Sequence, residues 1–408
     1  MPSVLIHNIG LLATPMGDKA LCGKAQGDIS FTEDAWIAIE GEKILAVGSG
    51  IAPRCDEKID AEERLVIPGL IDPHTHLVFG GWREHELSDK LRGIPYLEIL
   101  KNGGGILSTV RDTRIATEEE LTEKATDILL GMLKKGVTTC EAKSGYGLSL
   151  EAEIKQLNVL RKLCEIQEVE LVSTLMAAHA TPPEYKDDTQ GYVDFIIDRI
   201  IPVVAEKELA KFIDVFCESG VFDSAQTEKL LKAGKEYGLL LKCHTDEIND
   251  IGGTSLAASL GAISCEHLIK CTDEGIEALS NNGTIGVLLP ATSFYLGADF
   301  APARKMIENN VPIAIGSDFN PGSCPMSSLP LAMQIGCYRY RMTPEEVLSA
   351  VTINAAAAIG MADKLGSIEP GKQADLVFLD ADNLDYIFYR FGENFVSDVI
   401  KKGRTCHF

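Results

Sequence analysis

From Val66 onward, eight short apolar runs alternate with helical stretches, and this rhythm restricts the fold more than any other feature of the chain. The runs are Val66–Ile71, Val137–Glu141, Leu171–Ala178, Phe212–Phe216, Leu239–Cys243, Ala262–Cys265, Thr284–Leu289 and Ile313–Ile315. Between them, stretches such as Glu118–Lys135, Leu150–Glu165 and Ala225–Tyr237 carry the spacing of amphipathic helices. Strand–helix alternation predicts a parallel sheet with crossover helices, and eight repeats are what a (β/α)8 TIM barrel requires. The 408 residues exceed one ordinary core but suit such a barrel with additions.

Both chain ends read as all-β. Near the start, Val4–Ile6, Ala35–Ile39 and Ile44–Val47 are apolar or alternating runs, and Glu40-Gly41-Glu42-Lys43 predicts a hairpin turn. Near the end, the turn-rich Gly366–Lys372 leads into Ala374–Leu379 and then Val396–Lys401. The simplest assembly joins 1–65 and 366–408 into one small composite β-sandwich domain, with 66–365 as the barrel.

Composition narrows the partners. Sixty Asp and Glu against 38 Lys and Arg leave a formal charge of -22, which repels phosphate backbones and argues against nucleic acid. The same field repels a small anion unless a local cation offsets it. Eleven cysteines without a CxxC pair predict reduced thiols. The opening MPSVLIHNIG has no basic leader and no long apolar core, so no signal peptide or membrane span is expected, and the cytoplasm is the expected compartment. A homodimer is an open expectation.

The polar residues fall at one place in each repeat. Strands of a parallel barrel are buried and apolar, and their C-terminal ends face the active site. Here the first run ends in Asp72-Pro-His74-Thr-His76, the second in Glu141-Ala-Lys143-Ser-Gly-Tyr146, the third at His179 and the fourth at Glu218. The fifth ends at His244 with Glu247 beyond it, the sixth at Glu266-His267 and the eighth at Asp318. Five of the eight histidines occupy such ends. His74 and His76 share one side of an extended segment and can grip one ion. With His244 and Asp318 they form a set of three imidazoles and a carboxylate that suits Zn²⁺ or Fe²⁺ with a position left for water. A lone core histidine, or an aspartate capping a helix, would be the ordinary reading of His244 or Asp318 in isolation; their shared placement changes it.

The segment Val66-Ile-Pro-Gly-Leu-Ile-Asp-Pro-His-Thr-His76 resembles the first-strand motif of the amidohydrolase superfamily, and Gly366…Pro370-Gly371-Lys372-Gln373-Ala374-Asp375-Leu376 resembles its return to the β domain. Phe79-Gly-Gly-Trp-Arg83-Glu84, Asn102–Val110, Ala142–Leu148, Ala178–Pro183 and Ser317–Ser323 resemble, in order, motifs of the imidazolonepropionase family within it. The resemblance covers essentially the whole chain. It implies a distorted barrel with a composite β-sandwich and hydrolysis of a ring amide on a substrate that bears a carboxylate. It also implies one metal ion, Zn²⁺ or Fe²⁺/Fe³⁺, on His74, His76, His244 and Asp318. By the same resemblance Arg83, Tyr146, His179, Glu247, Asn320, Gly322 and Ser323 bind substrate, while Asp318, His267 and Glu247 carry the acid–base steps. Glu218 at the fourth strand end, where a lysine could be carbamylated, fits the single-metal branch.

Arg83 is the local cation that a carboxylate substrate needs in so acidic a chain. Its bland alternative is a surface ion pair with Glu84 or Glu86. The triple glycine Gly103–Gly105 reads as a mobile loop over the site rather than a phosphate cradle. Two rival functions remain at this level: a cytosine- or guanine-type deaminase sharing the polar set, and a non-catalytic scaffold of the same fold.

Overall fold

The computed structural model describes residues 3–55, 57–94 and 104–407. Asn102 and Gly103 of the glycine-rich segment lie outside them.

The strands run β1 (Val4–Thr14), β2 (Ser30–Glu40), β3 (Lys43–Ser49), β4 (Glu57–Asp60), β5 (Leu65–Pro68), β6 (Leu70–Asp72), β7 (Val137–Lys143), β8 (Glu170–Ala178), β9 (Phe212–Cys217), β10 (Leu240–Thr245), β11 (Ser264–His267), β12 (Ile285–Leu288), β13 (Ile313–Ile315), β14 (Leu376–Leu379), β15 (Val396–Lys401) and β16 (Arg404–Thr405). Strands β6 to β13 pair parallel in sequence order, with helices between them. The first and last are stitched beyond their ends. Ser317 N–H donates to Asp72 Oδ1 at 3.0 Å, Asp318 N–H to the His74 carbonyl at 3.1 Å and His76 N–H to the Phe319 carbonyl at 2.8 Å. The expected barrel is therefore present, and its closing seam runs through the segments that carry His74, His76 and Asp318.

The helices begin where local chemistry demands. Thr117 accepts from Glu120 N–H while Glu120 reaches back to Thr117 N–H, a capping box that opens Glu118–Leu133. Asp223 and Gln226 do the same for Ser224–Glu236.

Both chain ends join one eight-stranded sheet in the order β16-β15-β14-β5-β1-β2-β3, with β4 against β1. The expected hairpin turn sits between β2 and β3. The sheet curls back on itself: Ile44 N–H donates to the Lys372 carbonyl and Ala374 N–H to the Glu42 carbonyl. Its inner face is a separate apolar core that includes Ile6, Ile37, Val66, Leu376 and Ile400.

One run divides differently from its reading as a single barrel strand. Val66–Ile71 breaks at Gly69: β5 pairs with β14 and β1 in the outer sheet, and only β6 enters the barrel. Gly69 N–H donates to the Asp375 carbonyl at 2.8 Å, and a Cβ on it would lie 2.3 Å from Thr138 Oγ1. A continuous apolar run conceals such a crossing, because both sheets want the same residue types.

Lys401 ties the two sheets together. Its Nζ, buried, reaches Asp375 Oδ2 at 2.7 Å in the outer sheet and Glu170 Oε2 at 3.1 Å at the start of β8. Removing one partner of a buried ion pair strands the other charges. Lys401→Ala should lower the unfolding free energy by about 3 kcal/mol in a denaturant titration, and a change within error of zero would contradict that role.

Candidate metal centre at the barrel mouth

Along β9 the inward-facing residues are Phe212, Asp214 and Phe216; along β10 Lys242 and His244; along β11 Ser264 and Glu266. At the bottom, Phe212, Ile285, Val287 and Ala314 pack on Ile353, Ala356 and Ile359, which close the barrel with apolar volume. Above that floor lies a charged layer. Lys143 Nζ contacts Glu141 Oε1 at 2.8 Å, Asp214 Oδ2 at 2.9 Å and Glu266 Oε2 at 3.0 Å. Lys242 Nζ contacts Glu266 Oε1 at 2.7 Å and Ser264 Oγ at 3.0 Å. All five charged side chains are fully buried. Burial alone would neutralise Glu266, but Lys143, Lys242 and His74 hold its carboxyl well below the usual range.

The histidines stand on this layer. His74 Nδ1 rests on Glu266, and His244 Nδ1 lies 3.0 Å from Asp214 Oδ1. Each carboxylate accepts from Nδ1, which fixes the tautomer and leaves Nε2 as the lone-pair donor facing the mouth. His74 Nε2 is 3.4 Å and His76 Nε2 3.6 Å from Asp318 Oδ1. His74, His76 and Asp318 bring ligand atoms within 4.8 Å of one another, and so do His74, His244 and His267. His74 Nε2 and His244 Nε2 are buried without a hydrogen-bond partner. Buried imidazole nitrogens in that state are costly, and a metal ion is what such a donor set accommodates.

Asp318 is held from two further sides. Thr292 Oγ1 donates to its Oδ2 at 2.6 Å and Asn320 Nδ2 to its Oδ1 at 3.1 Å. Asp318 and His267 both have left-handed backbones, φ 52° and 71°. Non-glycine residues adopt that region at a cost, and it recurs where a side chain must be aimed.

The other expected residues surround this centre. His179 stacks on His76 with ring centroids 4.8 Å apart, its Nδ1 3.1 Å from the Gly145 carbonyl. Tyr146, buried, lies 5.2 Å from the His179 ring and 5.9 Å from that of His76. His267 Nε2 is 3.6 Å from Glu247 Oε2, and burial raises the Glu247 carboxyl above its ordinary value. Asn320 Oδ1 accepts from the N–H groups of Gly322 at 2.9 Å and Ser323 at 2.7 Å, which shapes the loop after Asp318. Arg83 meets that loop: a Cβ on Gly322 would fall 2.1 Å from its Nη1. Arg83 is also paired with Glu86, as its bland alternative anticipated, but the pair is buried rather than on the surface. The structure thus brings every expected site residue into one connected cluster.

Glu218 is not among the metal-ligand groups. Its carboxylate accepts from Ile248 N–H at 3.0 Å, Asn249 N–H at 3.1 Å and Asn249 Nδ2 at 3.0 Å, so it pins the segment that carries Glu247. Sequence reasoning missed Asp214, Lys242 and Thr292. A signal for the first two existed, since each is a charge in the middle of a buried parallel strand, two residues before an inward-facing aromatic or histidine. Thr292 carried none, because it lies on a short helix, Pro290–Leu296, far from Asp318 in sequence.

Comparison with known proteins agrees with the fold. The profile described as Amidohydrolase family matches residues 65–406. An imidazolonepropionase of Fusobacterium nucleatum is 52% identical, with 98% of each chain covered. The chain belongs to the amidohydrolase family, in its imidazolonepropionase branch. The imidazolonepropionase of Alkaliphilus metalliredigens is 49% identical over 99% of this chain and 98% of its own. Among solved structures, atrazine chlorohydrolase from Arthrobacter aurescens TC1, complexed with zinc, superposes with a TM-score of 0.72 at 18% identity, covering 98% of this chain and 94% of that one. An adenosine deaminase from Xanthomonas campestris with bound zinc gives 0.70 at 19% identity, covering 99% and 92%. At such identities the likeness is one of fold. No helix among the described residues is long and apolar enough to cross a membrane, and no disulfide joins the cysteines among them.

The carboxylate contacts set the orientation of the His74 and His244 rings in this amidohydrolase. Asp214→Asn should weaken metal binding by about 10- to 100-fold in competition with a chromogenic chelator, and unchanged affinity would show that Asp214 does not orient His244.

Proposed function

We propose that this chain is an imidazolonepropionase, which hydrolyses the ring C–N amide bond of 4-imidazolone-5-propanoate to N-formimidoyl-L-glutamate in L-histidine degradation. The observation that carries the reading is identity near 50% to imidazolonepropionases along almost the entire chain, with 98% of each covered in the first comparison. His74, His76, His244 and Asp318 would hold one metal ion, Zn²⁺ or Fe²⁺/Fe³⁺. When bound, it supplies Lewis acidity, lowering the pKa of water and polarising an amide carbonyl.

The chain's own groups divide the remaining work. Asp318 accepts the proton of the attacking water; Thr292 and Asn320 hold its two oxygens in place. His267, fixed by its left-handed backbone, steadies the oxygen that gains charge as water adds to the ring carbonyl. Glu247, whose carboxyl is raised by burial, delivers a proton to the ring nitrogen as the C–N bond breaks. The water oxygen ends in the new carboxylate and the nitrogen in the formimidoyl group. Tyr146 and His179 flank the ring. Arg83, beside Gly322 and Ser323, takes the propanoate, the role that an acidic chain must assign to a cation. Asn320 shapes that same loop and contacts the substrate from it.

A nucleobase deaminase would share His74, His76, His244, Glu247, His267 and Asp318 but has no use for a cation at the propanoate end. Loss of ring absorbance from 4-imidazolone-5-propanoate tests the choice. The enzyme should consume it, lose activity on chelation and recover with added metal. Arg83→Ala should raise KM by about 10- to 100-fold, the size of a lost charge-assisted hydrogen bond. No turnover above background, or ammonia release from cytosine or guanine instead, would overturn the assignment.

A further inference from the structure

Glu86 lies in the short turn Glu84–Glu86, outside every group that the chemistry above employs. It is 2% exposed. A carboxylate so buried is costly unless its oxygens are filled, and these are. Oε1 accepts from Arg83 Nε at 2.9 Å and from Gly105 N–H at 2.6 Å; Oε2 accepts from Arg83 Nη2 at 2.9 Å and lies 3.1 Å from Lys90 Nζ. The Arg83 contact is a two-point fork, which fixes the plane of the guanidinium as well as its position. The Nη1 corner of that plane is directed at Gly322, so closely that a Cβ there would be 2.1 Å away. Lys90 Nζ in turn donates to the Gly322 carbonyl at 2.9 Å. Two cations anchored on one carboxylate therefore converge on the loop that follows Asp318, in a chain of net charge -22.

The geometry points to Glu86 as the positioning residue for substrate carboxylate recognition: it sets the Arg83 guanidinium against the Gly322–Ser323 loop and holds Lys90 on the same loop. This rests on the reading of Arg83 as the propanoate partner. Glu86 touches no reacting atom, so its loss acts on binding of the carboxylate rather than on the bond-breaking step. The buried fork holds Arg83 in one place without recourse to solvent or to a mobile surface acid.

The test compares two substrates in the metal-loaded enzyme: 4-imidazolone-5-propanoate and its propanamide analogue, which keeps the ring and removes the charge. Glu86→Gln should raise KM for the propanoate at least tenfold, hold kcat within threefold and leave the propanamide constants unchanged. In an Arg83→Ala background the same change should add less than twofold, because the two act as one unit. Glutarate binding by calorimetry supplies a readout independent of turnover: wild-type affinity should fall at least tenfold in both Glu86→Gln and Arg83→Ala. An unchanged KM and glutarate affinity in Glu86→Gln, or equal losses for both substrates, would overturn the inference. If no imidazolone is turned over while glutarate binding still depends on Glu86, the reaction assignment fails and the positioning role stands.

Discussion

Lys143 sits fully buried between Glu141, Asp214 and Glu266, and the barrel mouth is built on that contact. Two of its three carboxylates are the ones that hold His74 and His244. Without a cation at this depth, neither acid would remain ionised in the barrel interior, since burial favours the neutral form. A neutral Glu266 or Asp214 would offer a proton where the histidine Nδ1 needs an acceptor. The lysines therefore act through the acids on the tautomers, and through the tautomers on the lone pairs at the mouth. Lys143 in turn is kept charged by the three acids, against a burial that opposes it.

The fold places this assembly economically. Period-two alternation puts Lys242 and His244 on one inward face, and pairing in register sets His244 beside Glu266 across β10 and β11. The same seam that closes the barrel, between Asp72–His76 and Ser317–Phe319, carries three of the four expected ligands. Barrel closure and the alignment of His74, His76 and Asp318 are thus one structural event. The outer sheet contributes from a distance, since β5 leads directly through Gly69 into β6 and so fixes where the first histidines emerge.

Much of this was legible in the sequence, for identifiable reasons. Strand ends face the mouth of a parallel barrel, so the sequence alone assigns His74, His76, His179, His244 and His267 to one place. Of the charged layer beneath, Glu141, Lys143 and Glu266 stand out at strand ends, whereas Asp214 and Lys242 lie in mid-strand, where a rule about strand ends does not reach. The ion pair of Arg83 with Glu86 was visible as a three-residue spacing, yet spacing cannot tell a solvated pair from a buried fork that aims the guanidinium. Thr292 was beyond reach, since only the tertiary structure brings that helix to Asp318. The break at Gly69 was hidden by an apolar run that two different sheets share.

In the proposed site one metal ion would be held at the mouth by His74, His76, His244 and Asp318, with His74 and His244 oriented from below by Glu266 and Asp214. Anomalous diffraction at the metal absorption edge from crystals of the metal-loaded enzyme tests it directly. A single peak per chain is expected at about 2.0–2.2 Å from the Nε2 atoms of the three histidines and an Asp318 oxygen, with the Glu266 and Asp214 contacts to Nδ1 intact. Two peaks at the mouth, or one peak bound by His267 in place of His76, would contradict it.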